Sequence, residues 1–417
     1  MNDLKRRLVT GIATGAVLLN ALTPLAFADT TIQISGNGSS SNSTANVSLN
    51  QSTTVVQNNT ANVTNNIDAD ADTGDNDAED NTGGDVSIDT GDATVNATVS
   101  NTLNSNSASV DCGGCQTGNT TVLIEGNGTN SDNDVYLDQD NSTEVYQGNN
   151  AYVYNDVDAD ADTGDNDAKD NTGGDVTIDT GDAKVSVSLA TTANANWANV
   201  GSNGNGGGDL SLRIVDNGSW SDNNINLDLD NSVSLTQDND AYVRNDVDAD
   251  ADTGDNDAED NTGGESSIDT GDATVDVDVD NAVNFNWADV NCGCLFDDLL
   301  AKIDGNGTNS DNDIYADLSF NDEEGGTFQD NYAGLHNDLE YLDADTGDND
   351  NKDNTLGGEG GDPSIDTGDA DVDANVSNSG NVNVVGGNSN PEWPDFDFDV
   401  EFNLSLSELL GLLGLLS

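Results

Sequence analysis

Between Glu144 and Asp162 the chain reads EVYQGNNAYVYNDVDADAD, and its residues sort into two sets by simple alternation. Val145, Gln147, Asn149, Ala151, Val153, Asn155, Val157, Ala159 and Ala161 fall on one face. Tyr146, Tyr152, Tyr154, Asp156, Asp158, Asp160 and Asp162 fall on the other. A period of two marks an extended strand with one face inside and one face wet. A helix is a poor alternative for a segment so rich in Asn, Asp, Gly, Thr and Val. The inward set is narrow, with Val and Ala interleaved with Asn and Gln. Buried amides are costly unless paired, and identical amides stacked about 4.8 Å apart pair with one another as ladders. The pattern therefore predicts an all-β chain, a β-solenoid whose coils lie directly on one another.

The pattern recurs. Four units each open on a GNG or DNG turn at Gly36, Gly126, Asp216 and Gly305, and close on IDTGDA from Ile88, Ile178, Ile268 and Ile365. The organisation read from this is a signal peptide over 1–28 and repeat units over 29–115, 116–208, 209–295 and 296–390, followed by an apolar tail over 391–417. Within a unit, glycines recur at Gly126, Gly148, Gly164, Gly181 and Gly201, steps of 22, 16, 17 and 20. If each marks a strand–turn–strand corner between coils, about five coils fill each 90-residue unit. Tandem β-sandwich domains are the alternative, because period two alone does not separate parallel coils from long hairpins.

In QGNNAYV, the residues Gln147, Gly148, Asn149, Asn150 and Ala151 approximate the Gln-x-Gly-x-x-Asn-x-Ala pattern with shortened spacing. The segment resembles the curlin family of secreted fibre subunits over about one coil in five. Curlins lack the acidic clusters found here. The resemblance implies a fibre-forming solenoid.

Composition sharpens the class. Hydrophobic residues make up 33% and aromatics 5%, enough for a thin core only. Low hydrophobicity with high charge is also the signature of disorder, but strict alternation is not needed in a solvated acidic tail. Nine Lys and Arg stand against 80 Asp and Glu, a net charge of −71, which excludes nucleic-acid or anionic-membrane binding through basic patches. Lys5, Arg6 and Arg7 precede an apolar run that ends on Ala26-Phe27-Ala28, the form of a secretory signal with its cleavage site. No later stretch reaches the roughly 18–20 apolar residues of a spanning helix. The expected location is extracellular or at the cell surface. Cys112, Cys115, Cys292 and Cys294 are then disulfide candidates in an oxidising compartment, in preference to a zinc site.

The acidic residues carry the candidate chemistry. DADADTGDND begins at Asp68, Asp158 and Asp248, and returns trimmed at Asp343. The phrase DTGD occurs twice per unit, 17 residues apart in the first three, which on a coil of that length sets Asp72 over Asp89 and Asp75 over Asp92. Two charges about 5 Å apart repel by about 0.8 kcal/mol in water, and by about 3 kcal/mol at an effective dielectric near 20. Several such pairs exceed the stability of a small domain, about 5–15 kcal/mol, unless a cation joins them or they splay apart. Oxygen-only ligands beside glycine turns suit Ca²⁺. The candidate ligands are Asp68, Asp70, Asp72, Asp75, Asp77, Asp89 and Asp92 in unit 1 and Asp158, Asp160, Asp162, Asp165, Asp167, Asp179 and Asp182 in unit 2. Asp248, Asp250, Asp252, Asp255, Asp257, Asp269 and Asp272 follow in unit 3, and Asp343, Asp345, Asp348, Asp350, Asp366 and Asp369 in unit 4. An EF-hand is rejected, since Gly74 falls one position late and the twelfth residue is Glu79 in unit 1 but Lys169 in unit 2. Calcium held between turns, as in the RTX-like β-roll, fits better although its nonapeptide is absent. The plain alternative is a solvated acidic coat that blunts sheet edges.

An enzyme is not expected. After residue 28 the chain has one His, His336, and six scattered cations, Lys169, Lys184, Arg213, Arg244, Lys302 and Lys352. Regular Thr-x-Thr rows for ice binding are missing. After Pro394, the residues Phe396, Phe398, Val400, Phe402, Leu404 and Leu406 alternate as the most apolar strand, either a cap or a strand that docks on a neighbouring copy. The expectation is a secreted, calcium-stabilised structural protein that forms a filament or surface layer by head-to-tail assembly with copies of itself. A monomeric calcium-binding adhesin stalk or cation-binding module is the alternative.

Overall fold

The computed structural model describes residues 29–110, 119–201, 208–291, 298–320, 325–356 and 362–386. Among them there is no helix, and the strands pair in parallel into stacked sheets. The signal segment, the four cysteines and the apolar strand from Phe396 to Leu406 lie outside the described residues.

Asn42–Asp72, Asp132–Asp162 and Asp222–Asp252 are each a single strand of 31 residues, with alternation unbroken in the second and third and interrupted in the first only at exposed Leu49. At about 3.3 Å per residue, each runs for about 100 Å. These long strands pair with one another in register, Asn42 with Asp132 and Asp72 with Asp162, then Asp132 with Asp222 and Asp162 with Asp252. One repeat is therefore one coil, and the chain makes four large coils instead of five small ones per repeat. The physical reason lies in the glycines. Gly148 sits inside a strand at an ordinary φ, whereas Gly126 at φ 64° turns the chain. Gly164 and Gly181 lie at corners of one coil, not at boundaries between coils. Because strands of different repeats share sheets, the tandem-sandwich alternative falls.

Each coil is flat. An entry strand (Thr30–Ser35 in coil 1) packs Ile32 and Ile34 against Ala45 and Val47 of the long strand. After the long strand and its corner, a short strand, Val86–Asp89, leads into a return strand, Ala93–Val110. The return strand runs back along the inner face of the long one. Ala93, Val95, Ala97 and Val99 meet Ile67, Ala69 and Ala71, Leu103 meets Ala61 and Val63, and Ala108 and Val110 meet Val55. The core is one side chain deep from each sheet, as 33% hydrophobic content allows.

Between the aliphatic stretches the interior is amide. Gln237 Nε2 donates to Gln147 Oε1, and Gln147 Nε2 to Gln57 Oε1, each at 2.8 Å. Asn65, Asn155, Asn245 and Asn337 form a second ladder with bonds of 2.7, 2.6 and 2.6 Å. A third set zigzags between the facing sheets: Asn59 donates to Asn106 at 2.8 Å, Asn106 to Asn149 at 2.9 Å, and Asn149 to Asn196 at 2.8 Å. It continues through Asn239 and Asn286 to Asn331 and ends on Asn383, always with the amide N–H pointing onward. Asn104, Asn194, Asn284 and Asn381 adopt φ of 55–64° in the return strands, a repeated bulge that turns one extra amide inward. Each donates to its successor at 3.0 Å. Desolvated amides are thus satisfied only when coils lie in register, so the same groups that cost burial also fix the stacking.

Candidate metal site

The acidic phrase forms the corner at the end of the long strand. Asp72, Asp162, Asp252 and Asp345 each accept a bond from the backbone N–H two residues on, at 2.6–2.7 Å, which closes the turn. Thr73, Thr163, Thr253 and Thr346 donate across the corner to the carbonyls of Gly91, Gly181, Gly271 and Gly368, at 2.8–3.2 Å. The two DTGD phrases of one unit therefore do meet. They meet through threonine and backbone, not by one lying over the other: Asp72 stacks on Asp162, and Asp89 on Asp179. The expected superposition of Asp72 on Asp89 fails because the coil is 90 residues long and not 17. Asp75, Asp165, Asp255 and Asp348 hold φ of 50–57°, a left-handed position that short Asp side chains tolerate. Asn76 closes the turn by donating to the Thr73 carbonyl at 2.9 Å, and it also bonds Asn166 above it.

Register turns the remaining aspartates into columns. Asp70, Asp160, Asp250 and Asp343 stack, as do Asp72, Asp162, Asp252 and Asp345, and beside them Asp68, Asp158 and Asp248. In coil 4 this third column ends on Tyr341, because a bulge shifts the pairing between Asp246 and Asp248. The bulge opens a cleft of about 430 Å³ lined by Asp158, Asp160, Asp248, Asp250, Glu340 and Asp343, with Tyr341 at its rim. Burial, together with neighbouring Asp165, Asp72 and Asp160 and against the Gly164 N–H, pushes the Asp162 carboxyl up to about 6. Burial likewise pushes Asp252 up to about 7, with Asp162, Asp255 and Asp345 adding to the rise and the Gly254 N–H opposing it. Asp160 and Asp250 are also raised, by burial first and then by the aspartates stacked beside them. Such columns hold their protons or take up a cation.

Other candidates divide. Asp92, Asp182 and Asp272 each accept the backbone N–H of their counterpart in the next coil, at 2.8–3.1 Å, and so act as struts. Asp89, Asp179, Asp269 and Asp366 stack on the short strands at the second corner. The column of Asp77, Asp167, Asp257 and Asp350 already has protein cations. Lys169 bridges Asp167 and Asp257 at 2.8 and 3.1 Å, and Lys352 bridges Glu259 and Asp350. The carboxylates of Asp257, Glu259 and Asp350 lie close enough to share an ion, but the lysine ammonium of Lys352 is bonded to two of them. The sequence reading assigned this column to calcium and missed the lysines that occupy it. Their signal was the alternation Glu79, Lys169, Glu259, Lys352 at one position of the repeat, which only register makes meaningful.

The chain matches no family model, no curated protein and no solved structure.

Proposed function

We propose that this protein is a secreted, calcium-stabilised structural subunit that assembles head to tail into an extracellular filament or surface layer. The observation that carries the reading is the state of the two ends. Among the described residues, the sheets of the entry, long and return strands each begin on a strand of coil 1 and stop on a strand of coil 4 whose outer edge pairs with no other strand. A 31-residue edge of free N–H and C=O groups is a template for another chain. A solenoid whose described coils end on free edges that match one another adds copies along one axis without closing.

Calcium enters through the corner. Lysines serve the Asp77 column, and among the described residues none bridges the columns that begin at Asp68, Asp70 and Asp72. Carboxylates from three adjacent coils around one cleft supply hard oxygen ligands of the type Ca²⁺ takes, six to eight at about 2.3–2.6 Å. Binding there ties coils 2, 3 and 4 together, so that metal affinity becomes folding stability. The test is circular dichroism of the chelated protein titrated with Ca²⁺ against Mg²⁺, with electron microscopy of each sample. A gain in thermal stability saturating at a few ions per chain, with filaments, is expected. Indifference to calcium and a monodisperse monomer would refute the reading.

A further inference from the structure

We propose that the joint between copies is a specific docking surface, in which coil 4 of one molecule seats on coil 1 of a second copy in the register coils 2 and 3 already use. The proposal rests on the assembly reading above, and three independent features of the two ends point to it.

The first is steric. A Cβ on Gly74, Gly164 or Gly254 would run into the backbone of the glycine stacked above it. Gly347, the same position in coil 4, has only its own Asp345 carboxylate at 3.1 Å from such a Cβ. At two other corners the close approach is downward: Cβ atoms on Gly181 and Gly271 meet Gly91 and Gly181, and those on Gly128 and Gly218 meet the Gly38–Ser39 and Gly128–Thr129 backbones. Their coil 1 counterparts, Gly91 and Gly38, have nothing within 4 Å. None of these three end glycines has a left-handed φ, and among the described residues no backbone lies close enough to require glycine there. A second copy in register supplies the missing neighbours: Gly74 of that copy over Gly347, and Gly368 and Gly307 of one molecule beneath Gly91 and Gly38 of the next.

The second is charge. The outer column Glu79, Lys169, Glu259, Lys352 alternates in sign through the four coils, pairing Lys169 with Asp257 above it and Lys352 with Glu259 below. In-register docking places Glu79 and Asp77 of the second copy on Lys352, and the alternation runs on unbroken. A twofold pairing of two coil 1 edges would bring no cation onto Glu79, because residues 29–110 contain no Lys or Arg.

The third is the coil 1 edge itself. Every outward residue from Asn42 to Asn66 is Asn, Ser, Thr or Val, without a charge, a proline or a bulge to blunt it. Coils 2 and 3 carry Asp at many of these positions, including 138 and 228, 140 and 230, and 156 and 246. The zigzag of amides also has a direction, a donor leading at Asn383 and Asn59 at the other end, which only head-to-tail contact continues.

The experiment uses the full chain in saturating Ca²⁺ with Glu79→Lys and Lys352→Glu made separately. Each alone places like charges at every joint, and each is expected to raise the concentration needed for filaments roughly tenfold. Mixed in equal amounts, the two make complementary joints in alternation, and filaments return at the wild-type concentration. Recovery on mixing also shows that both variants are folded. Gly347→Ala is the steric counterpart: an unchanged melting temperature with filaments lost. Wild-type filaments that persist in all three variants, or variants that fail without rescue, would overturn the joint while leaving assembly intact. A wild-type chain that never assembles would remove the assembly reading and this joint with it.

Discussion

Coil 1 and coil 4 close the same stack and are built differently. Coil 1 presents an unbroken strand of 31 residues whose outer face is uncharged from Asn42 to Asn66. Coil 4 divides that strand into Asp311–Phe320 and Gly326–Asp345, bulges it opposite Asp246–Asp248, and exposes Tyr315, Phe328, Tyr332 and Tyr341. Yet the inward amides run unchanged through both, from Gln57, Asn59 and Asn65 to Gln329, Asn331 and Asn337. These inner amide columns fix the stacking and do not vary, while the outer columns vary and set what each end does.

The sharpest way to break this comparison is to add one methyl group in the middle and at the end. Gly164→Ala drives a Cβ into the Gly254 carbonyl and is expected to cost roughly 3 kcal/mol or more, since two coils must separate. Gly347→Ala has no coil above it, and its effect on the monomer is expected within about 0.5 kcal/mol. Urea unfolding of the two variants reads the difference. Amide truncation comes next. Asn149→Ala strands the bonds to Asn59, Asn106, Asn196 and Asn239, at a cost of about 3 kcal/mol. Asn59→Ala, at the open edge, is expected to cost about 1 kcal/mol in the same measurement.

Acid is a milder probe of the corner. Asp162 and Asp252 titrate in the folded chain near 6 and 7, above the ordinary carboxyl value of 3.8. A raised folded pKa means that the folded state binds protons more readily, so this contribution is present at low pH and is lost as pH rises through 6 and 7. Chelated protein is therefore expected to melt on the order of 5 °C higher at pH 5 than at pH 8. Saturating Ca²⁺, by holding the carboxylates ionised, is expected to flatten or reverse that difference. The smallest effect belongs to Lys169→Met. Its ion pairs are partly exposed, and after solvent screening their loss is expected to cost no more than about 1 kcal/mol by thermal melting.

Much of this was legible in the chain itself. The alternation from Val145 to Ala161 identifies the inward face, and identical Asn and Gln at one position of every repeat announce the ladders. Coil length was not legible from glycine spacing. A glycine such as Gly148 inside a strand looks like a turn until its φ is known, and period two records which face a residue takes without recording its partner. The decisive cue was the repeat length: amide ladders need identical residues one coil apart, and identity recurs at 90 residues. The acidic corner was found in the right place for a partly different reason. Asp72, Thr73, Gly74 and Asn76 are each required by the turn, the cross-corner bond, the close approach and the ladder. The carboxylates that line the cleft are the outward stacks on Asp68 and Asp70 together with Glu340, which no repeat pattern marks.

The most direct measurement is helical reconstruction by cryo-electron microscopy of the chain assembled in calcium. Four coils at about 4.8 Å give an axial rise of about 19 Å per molecule, with the coil spacing unbroken across every joint. Dispersed monomers, or a repeat of about twice that length from paired coil 1 edges, would contradict head-to-tail stacking in the register of the repeat.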